Sequence, residues 1–101
     1  MGKVEKKILE KVRRIHDLCL GISNHDEKEG EPVAFYNLFG NAHYLEVRVY
    51  ADGWREGIEP DKQLDECIDF KHAEEKLDEM IAYLEDLKEK SERRSDNCGL
   101  Y

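Results

Sequence analysis

Apolar residues recur at intervals of three and four near the start of the chain, which is the spacing of one face of an α-helix. The face consists of Val4, Ile8, Val12, Ile15, Cys19 and Ile22. Gly21 and the polar run that follows it end the pattern. The sequence therefore predicts a first helix over residues 1–22 and a solvated loop over residues 23–32.

After Pro32 the pattern changes to a period of two, as in a β-strand with one buried face. Two strands are predicted, Val33–Phe39 and Ala42–Tyr50, joined by a turn at Gly40-Asn41. Within the second strand a mostly aliphatic set, His43, Leu45, Val47 and Val49, alternates with Tyr44, Glu46, Arg48 and Tyr50. We expect the aliphatic set to face the helices and the other set to face outward.

The elements after the hairpin have a less regular pattern. Asp52-Gly53 predicts a second turn, because glycine adopts a positive φ at little cost. Trp54–Glu59 is then predicted as a short third strand that ends at Pro60. A fourth extended segment is indicated by Leu64, Ile68 and Phe70.

A second helical pattern covers His72–Arg93, and residues 94–101 are expected to fray. Its apolar stripe consists of Ala73, Leu77, Met80, Ile81, Leu84 and Leu87. The predicted fold class is α+β, in the order α-β-β-β-(β)-α. One domain, residues 1–101, would carry a three- or four-stranded antiparallel sheet over residues 33–70, with the N- and C-terminal helices packed on one face.

The composition fits a single small domain with a large solvated surface: 101 residues, 40% of them apolar and 40% charged. No apolar run approaches the ~18 residues of a membrane span, and the N-terminal segment lacks the apolar core of a signal peptide. We therefore expect a cytoplasmic protein. Residues 1–16 carry six basic and two acidic side chains, whereas the rest carries ten basic and twenty-two acidic ones. This acidic part should repel phosphate backbones and attract basic surfaces.

The cysteines are odd in number and far apart, which favours reduced thiols: Cys19, Cys67 and Cys98. A metal site is one hypothesis, since His16 and Cys19 are three residues apart on the first helix and share a face. Zinc would need two further ligands, which would have to come from His25, Asp26, His43 or Cys67. A surface histidine beside a core cysteine is the simpler interpretation, and no metal or cofactor is expected.

Catalytic motifs are missing from the sequence. It contains no GxSxG, P-loop or GxGxxG pattern, so nucleophilic hydrolysis and phosphate binding have no specific support. Acid–base catalysis needs a pocket that shifts the pKa of a carboxyl group, and a thin two-layer domain has little room for one. We expect no catalytic residues and no enzymatic activity.

The outward set of the second strand forms the first candidate partner-binding group, which consists of Tyr44, Glu46, Arg48, Tyr50 and Trp54. Tyrosine, tryptophan and arginine are typical of protein-binding hot spots. The same residues are also typical of a stacking platform for single-stranded nucleic acid, or of cross-strand pairs that only stabilise a sheet. The net charge of −8 disfavours nucleic acid.

Carboxylates form the second candidate group: Asp65, Glu66, Asp69, Glu75 and Asp78. A band of negative charge on a small rigid body can imitate the phosphates of a nucleic acid and occupy a basic channel of another protein. Such attraction is long-range and sensitive to salt. The alternative is a solvated face that keeps the protein soluble.

A basic stripe on the first helix is formed by Lys3, Lys7, Lys11 and Arg14, which are spaced by four, four and three. It has three candidate partners: phosphate, an acidic protein, or the acidic second helix of the same chain. The last requires no ligand and is the simplest.

The hairpin also carries a resemblance to a known group of proteins. Gly40, the strand Tyr44–Tyr50 with the sequence YLEVRVY, and Asp52-Gly53-Trp54 resemble a stretch of small uncharacterised proteins of phages and prophages of Gram-positive bacteria. The resemblance implies a phage-type origin and a helix–sheet–helix fold, and it implies no activity. Small acidic phage proteins include inhibitors of host nucleases and anti-CRISPR proteins, which gives an analogy for function.

The sequence thus predicts a non-enzymatic, intracellular protein-interaction module. Its partner would be a host protein with a basic surface, and the chain would act as an acidic phage-encoded modulator or inhibitor of a host nucleic-acid-handling protein. Direct nucleic-acid or membrane partners are not expected. Two alternatives stay open: a structural homodimer that buries its own sheet face, and a metal-binding protein.

Overall fold

The structure is a computed structural model that describes residues 5–24, 31–68 and 72–98, with side chains up to residue 90. Its elements are helix α1 (Lys6–Ser23), strands β1 (Val33–Phe39), β2 (Tyr44–Tyr50) and β3 (Lys62–Cys67), and helix α2 (Ala73–Cys98). Both helices pack on the sheet. The predicted α+β class is confirmed, with three strands in the sheet.

Helix α1 buries the face that its sequence predicts. The buried side chains are Ile8, Val12, Ile15, Leu18, Cys19 and Ile22, whereas Val4 lies outside the described residues. At its start, Glu5 C=O accepts hydrogen bonds from the N–H groups of Ile8 and Leu9, both at 3.0 Å. At its end, Asn24 N–H donates to Gly21 C=O at 3.4 Å.

The three strands form an antiparallel sheet in the order β1-β2-β3. Phe39 pairs with Tyr44 next to the hairpin turn, and Tyr44 also pairs with Cys67 on β3. On the central strand, Leu45, Val47 and Val49 are fully buried against the helices. This confirms three members of the predicted inward set, whereas the fourth, His43, lies in the hairpin turn. It also fixes which residues face the other way, because successive side chains of a strand point to opposite faces.

The hairpin turn is longer than the sequence predicts. Residues 40–43 form the turn, so β2 begins at Tyr44 rather than at Ala42. Ala42 N–H donates to Phe39 C=O at 3.1 Å, and His43 has the positive φ of 48°. The predicted Gly40-Asn41 turn lies in the right place, but a four-residue connection replaces the two-residue one.

The third strand lies elsewhere than predicted. The Asp52-Gly53 turn is present, with Gly53 at φ 91°, but Trp54–Glu59 is a loop. Gly57, at φ 86°, interrupts any extended run there. The chain rejoins the sheet after Pro60, where Asp61 N–H donates to Val49 C=O at 2.8 Å, and β3 follows. The segment predicted as a fourth strand is therefore the third; Phe70 lies outside the described residues.

Helix α2 continues to Cys98, beyond the predicted end at Arg93. Ala73, Leu77, Met80 and Leu84 lie in the core, as the apolar stripe predicts. The segment expected to fray therefore belongs to the helix as far as Cys98, and residues 99–101 are outside the described part of the chain.

Two glycines in connections provide a matched test of backbone strain. Gly57 has a φ of 86°, whereas Gly40 shows no such φ and has open space where a Cβ would stand. Gly57→Ala should lower the free energy of unfolding by about 1–2 kcal/mol, because left-handed backbone is strained for L residues. Gly40→Ala should raise it by about 0.4–1 kcal/mol by restricting the unfolded chain. Urea unfolding of both variants measures the contrast, and a greater loss at Gly40 would contradict it.

Candidate functional site

The sheet has one face covered by the helices and one turned away from them, which we call the outer face. By the register of the strands, the outer face carries alternate residues of each strand: Val33, Phe35, Asn37 and Phe39 on β1, Tyr44, Glu46, Arg48 and Tyr50 on β2, and Gln63, Asp65 and Cys67 on β3. All four predicted residues of β2 therefore share this face. They differ in how far they reach solvent.

Arg48 is exposed, while Tyr44 and Glu46 are half-buried. Tyr50 was expected to be open to a partner, and that expectation is wrong: its side chain is only 5% exposed. The Phe35 ring packs edge-on against Tyr50 with centroids 5.6 Å apart. Tyr50 therefore packs beneath Phe35 and is not accessible to a partner.

Trp54 reaches the outer face from the loop after β2. Its ring lies edge-on to Phe35, with centroids 6.4 Å apart, and it is 54% exposed. Phe35 thus bridges Tyr50 and Trp54. We call these three side chains the first aromatic group. Trp54 is its exposed member from the predicted set, although it belongs to a loop and not to a strand.

A second aromatic group lies near the hairpin turn. Phe39 and Tyr44 are cross-strand partners with ring centroids 6.1 Å apart, and Phe39 is 48% exposed. The Asp65 carboxylate of β3 lies near enough to Tyr44 to influence its hydroxyl. Desolvation, together with that carboxylate, raises the pKa of Tyr44. The Tyr44 hydroxyl therefore keeps its proton to a higher pH than a free tyrosine.

Polar side chains lie between the two aromatic groups. Glu46 Oε1 accepts a hydrogen bond from Asn37 Nδ2 at 3.4 Å and lies 3.5 Å from Arg48 Nη2. Asp65, the cross-strand partner of Glu46, accepts a hydrogen bond from Gln63. Carboxylates placed directly opposite each other repel, and Arg48 lies beside one of them. The centre of the outer face is therefore acidic.

Sequence reasoning missed two residues of this face, Phe35 and Phe39. Both are exposed, and both bring an aromatic ring to the outer face. The signal was present in the hairpin itself. A two-residue turn and the observed four-residue turn both place odd-numbered residues of β1 opposite even-numbered residues of β2, so either turn puts Phe35 and Phe39 on the face of Tyr44.

The structure separates the second candidate group. Asp65 lies on the outer face, whereas Glu66 is half-buried on the helix side of β3. Glu75 and Asp78 belong to α2, in the other layer. Asp69 lies outside the described residues. The described members thus do not form one continuous band. Among them, only Asp65 lies on the outer face with the first candidate partner-binding group.

Asp78 also has a partner within the chain. Lys11 Nζ lies 2.6 Å from an Asp78 carboxylate oxygen and 2.8 Å from Glu74 Oε2. Hydrogen bonds to Asp78 and Glu74 raise the pKa of Lys11, and those from Lys11 and Lys7 lower the pKa of Glu74. Both shifts favour the charged forms, as expected for ion pairs at these distances.

The basic stripe of α1 faces α2 along its described length. Besides the pairs of Lys11, Lys7 Nζ lies 3.3 Å from Glu74 Oε1, and Arg14 Nη2 lies 3.0 Å from Glu85 Oε2. Lys3 is outside the described residues. The simplest of the three predicted partners, the acidic second helix, is thus the one that the structure provides.

The two residues of α1 considered for a metal site, His16 and Cys19, pack against other parts of the protein. Cys19 is buried, and burial raises the pKa of its thiol to about 12. The His16 ring lies edge-on to Tyr36 with centroids 5.2 Å apart. Within the part of the chain that the structure describes, no three His, Cys, Asp or Glu side chains are grouped as metal ligands; His25 and Asp26 lie outside that part.

Comparisons of the chain with protein families, with curated proteins and with solved structures give no match. None of the described helices combines the length and the apolar character that crossing a membrane requires.

Proposed function

We propose that this protein acts by binding another protein through its outer face and carries out no catalysis itself. The observation that supports the proposal is the arrangement of exposed aromatic rings around an acidic centre. Phe35 and Trp54 lie at one end, Phe39 and Tyr44 at the other, and Glu46 with Asp65 between them. Aromatic anchors beside charged groups are typical of protein-binding hot spots.

The partner we propose has a basic surface with apolar pockets beside it. The acidic centre would pair with lysine or arginine, and the two aromatic groups would be desolvated against apolar side chains. The net charge of −8 would draw such a partner from a distance. Nucleic acid is a poorer fit, because the stripe of Lys7, Lys11 and Arg14 already pairs with α2.

The resemblance of the hairpin to phage proteins extends this proposal to a biological role. The protein would be an acidic, phage-encoded modulator or inhibitor of a host protein that handles nucleic acid, and it would act in the bacterial cytoplasm. Proteins of that class bind phosphate backbones through basic surfaces, which matches the chemistry of the proposed partner. Of the acidic group, Asp65 would contribute directly, whereas Asp78 is engaged by Lys11.

The test is binding by variants of the outer face. The partner is first isolated from a Gram-positive bacterial lysate on the immobilised chain and purified, and its Kd for the chain is then measured. Glu46→Lys combined with Asp65→Lys should raise the Kd at least about tenfold, by reversing the charge of the acidic centre. Trp54→Ser should also weaken binding, but its effect should depend little on salt, since it removes apolar contact.

A charge-matched control separates local from overall charge. Glu10→Lys combined with Asp17→Lys changes the net charge by the same amount at exposed positions of α1. This control should leave the Kd almost unchanged. Equal losses from both double variants would mean that binding depends only on net charge, and no loss from the outer-face variants would reject the outer face as the binding site.

A further inference from the structure

One edge of the sheet, along β1, leaves backbone groups turned outward. Ser23 Oγ accepts a hydrogen bond from Ala34 N–H at 3.0 Å and donates one to Ala34 C=O at 3.3 Å. Both groups of Ala34 therefore point away from β2. Since alternate residues of an antiparallel strand direct their backbone groups to the same side, those of Tyr36 and Leu38 also point outward. Among the described residues these two have no hydrogen-bond partner on that side.

The residues of β1 lack the features that normally protect an edge strand. Edges are commonly blocked by lysine, by proline or by inward-pointing charge, but Val33–Phe39 contains none of these. In a chain with 40% charged residues and a net charge of −8, this strand is uncharged. Two copies of the chain can therefore approach each other here without bringing like charges together.

Exposed apolar side chains concentrate at the same edge. Of the seven large hydrophobic side chains that are exposed in the described residues, three belong to β1: Phe35, Leu38 and Phe39. Two more, Leu9 and Leu20, lie seven and four residues from His16 and thus on its flank of α1. Because the His16 ring contacts Tyr36 of β1, that flank adjoins the edge.

The sequence of β1 is nearly the same in both directions about Asn37. Phe35, Tyr36, Asn37, Leu38 and Phe39 place an aromatic ring at each end and a large apolar side chain on either side of the central amide. We propose that the protein forms a two-fold dimer in which β1 pairs antiparallel with β1 of a second copy, with the axis at Asn37.

In this dimer the outward-facing backbone groups find partners. Tyr36 N–H donates to C=O of the partner's Leu38, and Tyr36 C=O accepts from N–H of the partner's Leu38. By symmetry, Leu38 makes the same two bonds with the partner's Tyr36. On the outer face Phe35 lies opposite the partner's Phe39. On the sheet, the carboxylate opposite Asn37 is Glu46, one strand inward. Its distance from the partner's Glu46 is therefore about three strand spacings or ~14 Å. This exceeds the Debye length of ~8 Å at physiological salt.

The helix layer gives an independent check of the axis. Ser23 contacts Ala34 and His16 contacts Tyr36, so α1 runs antiparallel to β1. One strand residue rises as far as about two helix residues. The His16 contact therefore sets Asn37 level with a point about two residues before His16, and the Ser23 contact sets it level with a point about six residues before Ser23. The midpoint between Leu9 and Leu20 lies next to the first of these points and about two to three residues from the second. A two-fold axis there brings Leu9 against the partner's Leu20.

The proposal is independent of the function proposed above. The dimer uses the edge of β1 and the flank of α1, and it shares Phe35 and Phe39 with the surface proposed for partner binding. Trp54, Glu46 and Asp65 on the outer face belong to partner binding alone. The dimer would join two sheets into one of six strands and present two outer faces side by side. A partner with two equivalent basic surfaces would then gain from bivalent binding.

The first test is the mass of the full chain by light scattering coupled to size exclusion over a wide range of concentrations. We expect the mass to rise from that of the 11.9 kDa chain to twice that value. Leu38→Lys places a charge at the edge, at a side chain 46% exposed. It should raise the dimer Kd at least about tenfold, or ~1.4 kcal/mol. Circular dichroism should confirm that the variant stays folded.

The second test is a disulfide at the axis. In a background with Cys67 and Cys98 changed to Ser, Asn37→Cys should oxidise rapidly to a cross-linked dimer. Asn37 would face the partner's Asn37 in a non-hydrogen-bonded pair. The Cα atoms of such a pair lie within ~5 Å of each other, a distance that suits a disulfide. Gln63→Cys, exposed on the opposite edge strand, controls for random collision and should cross-link slowly.

The outcomes discriminate between arrangements. A mass that stays at one chain throughout, with Asn37→Cys no faster than Gln63→Cys, would overturn the proposal. A dimer that resists Leu38→Lys but is disrupted by Trp54→Ser would overturn it as well, and would indicate instead a homodimer that buries the outer face.

Discussion

Replacing Leu45 with alanine should lower the free energy of unfolding by about 2–5 kcal/mol. Leu45 is fully buried on the central strand, with a strand on each side and the helices above it. Truncation removes apolar contact and leaves a cavity that its neighbours cannot fill, because the strand is fixed by two ladders of hydrogen bonds. The whole free energy of unfolding of a small domain is only ~5–15 kcal/mol, so this loss would be a large fraction of it.

Urea unfolding followed by circular dichroism measures this effect. Leu45→Met keeps nearly the same volume and serves as the matched control at the same site, with an expected loss below about 1.5 kcal/mol. Similar losses for the two variants would show that Leu45 is not in a close-packed core. The result also bears on function, because Leu45 lies between Tyr44 and Glu46 and its packing fixes both side chains on the outer face.

The helices and the two faces of β2 could be predicted because each has a repeating pattern. Ile8, Val12 and Ile15 recur at helical spacing, and all of them are buried. Leu45, Val47 and Val49 alternate with polar and aromatic neighbours, and all of them face the helices. A period shared by many residues specifies one buried face, so a single exception does not change the assignment.

The third strand could not be placed from the same kind of pattern. Lys62–Cys67 offers only Leu64 as a strongly apolar inward residue, which is too little for a period. Its position depends on tertiary contacts: Asp61 N–H bonds to Val49 C=O, and an Asp61 carboxylate oxygen accepts Ala51 N–H at 2.8 Å. Trp54–Glu59 had more apolar residues, but the positive φ at Gly57 interrupts it.

The composition of the candidate site was predictable only in part. Alternation along β2 correctly assigned Tyr44, Glu46 and Arg48 to one face, because that is a property of a single strand. The predicted turn at Gly40-Asn41 already implied that Phe35 and Phe39 share the face of Tyr44, because an even number of turn residues pairs odd with even positions. Only the direct pairing of Phe39 with Tyr44 depended on the length of the turn. The burial of Tyr50 required knowledge of Phe35 above it, a contact between two strands.

The charge pattern of the sequence did not show whether its charged surfaces pair with each other or with a partner. The basic stripe and the acidic stretch were each compatible with an external partner. In the folded chain Lys11 forms ion pairs with both Glu74 and Asp78. Part of the basic stripe is therefore paired with part of the acidic stretch. A pattern of charge therefore indicates attraction, but only the packing of the helices decides whether the attraction is internal. Asp65, on the other face, is not engaged by α1 in this way.

Replacing Tyr50 with alanine should lower the free energy of unfolding by about 3 kcal/mol or more, as for other buried aromatic residues. Tyr50 is 5% exposed, although it lies on the face turned away from the helices. The Phe35 ring rests edge-on against it, and Trp54 rests against Phe35. Removing Tyr50 takes away the base of the first aromatic group, so Trp54 should also become more mobile. Urea unfolding and tryptophan fluorescence anisotropy measure the two effects.

Tyr50→Phe separates support from recognition. It keeps the ring that packs beneath Phe35 and removes only the hydroxyl, so stability should change by less than about 1 kcal/mol and the Trp54 anisotropy should be retained. If Tyr50 supports the face, this variant should also bind the partner like the parent protein. A loss of binding with full stability would instead show that the Tyr50 hydroxyl contacts the partner directly, and it would restore Tyr50 to the residues that make the interface.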